Sequence, residues 1–224
     1  MPFSKHINIL HFGLTSKCTL SCPECVRTMS NPELNPLWRN IKEQRQIDWQ
    51  QYRPIIQDLT YEQILFCGNW GDPIYYPGLI DFITYIKTVT NTPIFIHTNG
   101  SYKDADFWLR LGTVLQPQDN LMFSIDGLID NDQYRVNNDA DSRRLGINTI
   151  LLIPEATRPL LVQKFLVFRY NESDILKIID QSKQLGFDLI RVEYPIVEEN
   201  PILAPKYRGD RFEVLFTEKA GHNE

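Results

Sequence analysis

Short apolar runs alternate with amphipathic stretches along most of this 224-residue chain, and that alternation constrains the fold most. Ile7 to Leu14, Gln63 to Cys67, Pro93 to His97, Leu121 to Ile125, Leu161 to Phe168 and Leu189 to Tyr194 read as six strands. Leu79 to Val89, Asp104 to Leu111 and Asp174 to Leu185 repeat apolar residues at three and four, the helical spacing, and the last stops at Gly186. Asp48 is an N-cap for a further helix carrying Trp49, Tyr52, Ile55, Ile56 and Leu59, which Pro54 is expected to break or kink. Residues 28 to 46 read as a polar excursion, and Asn131 to Pro154 as a helix interrupted by polar residues.

Strands alternating with helices mean β-α units and a mainly parallel sheet. Six units are too few for a closed eightfold barrel, so the expected fold is an α/β partial (β/α)6 barrel with a short C-terminal appendage. Residues 1–195 form the core domain in this reading. Residues 196–224, rich in Glu, Pro and Lys, form the appendage, with one short strand at Phe212 to Phe216.

The unusual residues fall just after strands. Cys18-Thr-Leu-Ser-Cys22-Pro-Glu-Cys25 follows the first, Gly71-Asp72-Pro73 the second and Thr98-Asn99-Gly100 the third. Ser124 and Asp126 follow the fourth, and Asn171 the fifth. The carboxyl edge is where parallel α/β sheets and barrels carry their sites, so these motifs belong to one site. Three thiols within eight residues can converge on one inorganic centre. An iron–sulfur cubane normally takes four thiolates, so three leave either a fourth ligand elsewhere or one open iron. A zinc ion completed by Cys67 or a histidine stands beside the cluster on the cysteines alone.

Bulk properties narrow the rest. The net charge of −5 gives no electrostatic footprint for nucleic acid. Four cysteines, three of them clustered, suit reduced thiols in a cytoplasm better than a secreted disulfide framework. No signal peptide precedes the first strand, and no apolar run nears the roughly 20 residues of a membrane span.

From Ile7 to Tyr194 the chain resembles the radical S-adenosylmethionine (SAM) superfamily. The cysteine loop is similar to its cluster motif, and Gly71-Asp72-Pro73 to its Gly-Glu-Pro turn, which receives the SAM amino group. Thr98-Asn99-Gly100, Ser124-Ile125-Asp126-Gly127 and Lys164 to Asn171 resemble motifs of its peptide-modifying and sulfatase-maturing branch. The resemblance implies a [4Fe-4S] cluster on Cys18, Cys22 and Cys25, and SAM contacts from Glu24, Gly71, Asp72, Asn99, Ser124 and Arg135. Glu24 stands where the family has an aromatic residue, leaving its backbone for the adenine, and Asp72 is a methylene shorter than the usual Glu.

The implied reaction is reductive cleavage of SAM to a 5′-deoxyadenosyl radical that takes hydrogen from a peptide or small molecule. It needs an electron donor such as flavodoxin or ferredoxin. No auxiliary-cluster cysteine follows Cys67, which is expected to pack as a small buried hydrophobe. His97 is likewise assigned to packing. Two other readings stand: a glycyl-radical activase, and a non-catalytic metal protein in which Cys18, Cys22, Cys25 and Cys67 close a zinc or iron–sulfur site.

Overall fold

A computed structural model describes residues 6–23, 25–29, 45–129, 133–194, 210–217 and 219. Among these residues seven strands form one open sheet in sequence order: β1 (His6–His11), β2 (Thr60–Cys67), β3 (Ile94–Thr98), β4 (Asn120–Ser124), β5 (Leu160–Leu166), β6 (Leu189–Glu193) and β7 (Arg211–Leu215). The first six run parallel, and β7 returns antiparallel along β6. This is the expected partial barrel, with the short C-terminal strand added to its edge. Residues 195–209, most of the rest of the appendage, lie outside the described residues.

Helices cover one face because their apolar stripes match it. Among the described residues α1 (Val26–Met29) and α2 (Arg53–Asp58) lie between β1 and β2. Then α3 (Leu79–Val89), α4 (Ala105–Val114), α5 (Ala140–Leu151) and α6 (Ile175–Gln184) each follow a strand. Leu79, Ile80, Phe82, Ile83 and Ile86 of α3 are buried, the i, i+3, i+4 row of a core-facing helix. Phe82 meets Phe66 of β2 at 5.6 Å, and Trp108 of α4 meets Phe123 of β4 at 5.3 Å. Phe66 and Phe123 therefore mark the helix-covered face. Side chains alternate along a strand, so Cys67, His97, Ser124, Lys164 and Arg191 point to the concave face.

Three expectations change. Pro54 sits in the first turn of α2, where a missing N–H costs nothing, so it starts the helix instead of kinking it. The residues ahead of it form a 3-10 turn, Trp49–Tyr52, capped by Asp48. Of the stretch from Asn131 to Pro154, residues 131 and 132 lie outside the described residues, and Ala140–Leu151 forms an unbroken α5, capped by Asp139, whose carboxylate accepts from Ser142 N. Of the polar excursion, residues 30–44 lie outside the described residues, while Gln46 bridges to Thr15. No helix among the described residues is long and apolar enough to cross a membrane.

Candidate functional site

The carboxyl ends of β1 to β5 meet around a cavity of about 210 Å³. Cys18, Cys22, Cys25, Gly71, Asp72, Asn99, Ser124 and Arg135 all line it. These are eight of the nine site residues expected from sequence. The ninth, Glu24, lies outside the described residues.

The cysteine loop is held from both sides. Arg27, the second residue of α1, donates to Ser16 O at 3.4 Å and to Leu20 O at 3.3 Å. Ser21 N donates to Val136 O at 3.0 Å, tying the loop to the segment that carries Arg135. On the other side Asp72 N donates to Lys17 O at 2.9 Å. A Cβ on Gly71 would lie 2.2 Å from Thr15 O, so only glycine lets the two loops touch this closely. Behind the loop, Leu20 and Cys22 pack with Tyr134 and Phe168, whose rings stack at 4.3 Å.

Asp72, expected at the SAM amino group, also carries bonds within the wall. Its carboxylate accepts from Thr98 Oγ1 at 2.9 Å, Asn99 N at 2.7 Å and Ile74 N at 3.2 Å. All three donors are neutral. Burial pushes its carboxyl up to about 6, against the pull of those donors. The shorter acid thus braces the exit of β2 against the exit of β3, while still lining the cavity.

Asn99 is equally constrained. Its Oδ1 accepts from Ser101 N at 2.8 Å, its carbonyl accepts from Arg143 Nε at 3.0 Å, and its Nδ2 donates to Cys18 Sγ at 3.5 Å. Burial, with Asp72 close by, pushes the Cys18 thiol up to about 12. Arg135 is mostly buried and pairs with Asp126 at 2.6 Å. Asp126 in turn accepts from Leu166 N at 2.8 Å, and its carbonyl accepts from Asn171 Nδ2 at 2.8 Å. Asn171, noted from sequence only by position, thus locks the β4 and β5 ends that aim Arg135.

Two residues assigned to packing line the cavity instead. Cys67 is only partly buried, and its carbonyl meets His11 Nε2. His97 stands beside it on β3; burial, then Lys164 and Arg191, drives its imidazole down to about 3, so it is neutral at pH 7. Both close concave-facing rows, and β-strand parity places them there. Lys164, missed as a site residue, also lines the cavity and pairs with Glu193 at 2.7 Å. Its signal was a lone cation in a strand whose other residues, Gln163 apart, are apolar, in phase with Val162.

Among the described residues, no three His, Cys, Asp or Glu side chains are grouped so as to hold a metal ion. The three loop thiols and the Cys67 thiol nevertheless face one cavity.

The same open, mainly parallel β/α sheet recurs in solved structures of radical SAM enzymes. The chain is similar over 92% of its length to Streptococcus suis SuiB bound to S-adenosylmethionine, with a TM-score of 0.64 and 12% identity, and covers 44% of that chain. Methylornithine synthase (PylB) matches 85% of this chain at a TM-score of 0.59 and 16% identity, 54% of its own length being covered. Native anSMEcpe with bound AdoMet matches 89% at 0.59 and 13%, again with 54% covered. The chain thus spans about half the length of these structures. At such identities the likeness is one of fold. No protein-family model matches the sequence, and no curated protein matches it.

Proposed function

We propose that this protein is a radical SAM enzyme, acting from the cavity at the carboxyl edge of the sheet. The observation that carries the reading is the meeting of eight separately recognised residues around one cavity. The donor set fits a [4Fe-4S] cluster: Cys18, Cys22 and Cys25 would hold three irons, and an amide N–H already faces one sulfur. When bound, the reduced cluster supplies the electron that cleaves SAM to methionine and a 5′-deoxyadenosyl radical.

The chain's own residues bind and orient. Gly71 leaves backbone accessible beside the cavity, and Asp72 fixes Thr98 and Asn99 in the wall. Arg135 and Ser124 supply a guanidinium and a hydroxyl for the SAM carboxylate or ribose. The Glu24 backbone is reserved for the adenine in this reading. Asp126 holds the guanidinium of Arg135 in place, so little ordering remains when SAM arrives.

The substrate would lie over the concave face beyond Ser124, where Lys164 and Arg191 are paired with Glu193 and Glu213. Such a surface suits a polar substrate. A structure of SuiB bound to its precursor peptide SuiA supports a peptide as one such substrate, beside a small molecule. A donor of the flavodoxin or ferredoxin kind would deliver the electron, in a reducing cytoplasm.

One observation favours a second reading. Cys67 shares the cavity with the other three cysteines, as a closed four-thiolate metal site requires. The test is anaerobic reconstitution with iron and sulfide, then SAM and dithionite. A catalytic protein holds about four irons per chain and releases 5′-deoxyadenosine. Iron-replete protein that releases none under any reducing condition rejects the enzyme reading in favour of the closed site.

A further inference from the structure

Asn99 was expected to touch SAM, yet its amide is already committed. Ser101 N must find an oxygen, so Oδ1 faces Ser101 and the amide cannot flip. The NH2 group is thereby turned to Cys18 Sγ at 3.5 Å. Backbone bonds to Asp72 and Arg143 hold the residue from both ends, and it is 4% exposed. Three hydrogen bonds thus converge to present one donor to one sulfur.

We propose that Asn99 is a positioning residue that sets the electron affinity of the cluster through the sulfur of Cys18. The inference rests on the cluster reading given above. Reduction adds one negative charge, shared with the ligating sulfurs, so an N–H···S bond stabilises the reduced form more than the oxidised form. In a site shielded from water that difference is larger than at a surface. The amide therefore raises the potential and brings the cluster within reach of its electron donor.

The test is a potentiometric titration followed by electron paramagnetic resonance on reconstituted wild type, Asn99→Asp and Asn99→Ala. Asn99→Asp keeps the oxygen that Ser101 needs and replaces the donor with an acceptor. Asn99→Ala removes both, while the backbone bonds persist in either variant. At fixed applied potential the reduced-to-oxidised ratio should fall about tenfold in Asn99→Ala, which is about 59 mV for one electron. The fall should be larger in Asn99→Asp, with iron per chain unchanged. A second measurement needs no variant: side-chain 15N-labelled asparagine in the wild type should give a 15N nucleus coupled to the reduced cluster.

Equal potentials in all three iron-replete proteins, or no coupled 15N, overturn the proposal and leave the enzyme reading standing. A wild type that takes up no cluster overturns both.

Discussion

The two edges of the sheet carry buried charge in opposite ways. At the amino edge each buried carboxylate faces a cation. Asp188 takes Arg158 in a two-pronged pair, with Nη2 at 2.8 Å from Oδ1, and Asp119 takes Lys87 at 2.6 Å. Each also accepts a backbone N–H from the start of a strand, Leu161 and Ile94, both at 2.7 Å. At the carboxyl edge, Asp72 is buried among neutral donors and His97 is held neutral. The pair there, Asp126 with Arg135, keeps its cation against the cavity. Charges at one edge finish the fold; those at the other leave polarity for a ligand.

Breaking the closed edge should have the largest effect. Arg158→Ala leaves the Asp188 carboxylate buried without its cation, at a cost of about 3–5 kcal/mol. Urea denaturation should show that loss, and whatever folded fraction remains should take up iron normally. At the open edge Arg135→Ala should act on SAM affinity, weakening it by about 1.5–3 kcal/mol, as for a hydrogen bond to a charged group. Arg135→Lys should also weaken it, because an ammonium keeps the charge but not the planar fork. Equal affinity for SAM in both, by equilibrium dialysis, would confine Arg135 to its Asp126 pair.

The pH dependence separates the edges further. His97 is lowered from 6.5 to about 3 in the folded chain, so the unfolded state binds its proton first on acidification. Its contribution is fully present above about 6.5 and is lost as pH falls toward 3. Between pH 7 and pH 5 the wild type should lose about 2 kcal/mol more than His97→Gln, measured by urea denaturation at the two pH values. Asp72, raised to about 6, works in the opposite direction over nearly the same range, and conceals part of the loss in the wild type. The smallest effect belongs to Cys67→Ala, at about 1 kcal/mol or less of stability with full iron content. Iron loss comparable to that of Cys22→Ala would instead make Cys67 a ligand.

What could be read from the sequence follows this division. Strands and helices were legible because apolar periodicity and punctuation agree, as in Leu79–Val89, whose observed limits equal the expected ones. The site was legible because its residues follow strands, a matter of chain order alone. Helix α5 was legible only as an interrupted helix: it buries Arg143 completely, and no hydrophobic pattern marks a guanidinium as core. The bonding of Asp72 and Asn99 was also hidden, since it links residues 27 positions apart across two loops. Lys164 and Cys67 needed the strand register, which fixes the face each side chain takes.

The contact at Gly71 makes the two loops one unit. Its backbone lies against Thr15 and Lys17 with no room for a methyl group, and Asp72 N is bonded across the same seam. The polypeptide itself therefore fastens the cysteine loop to the turn after β2. A side chain at position 71 would part them and displace the residues of both loops that face the cavity.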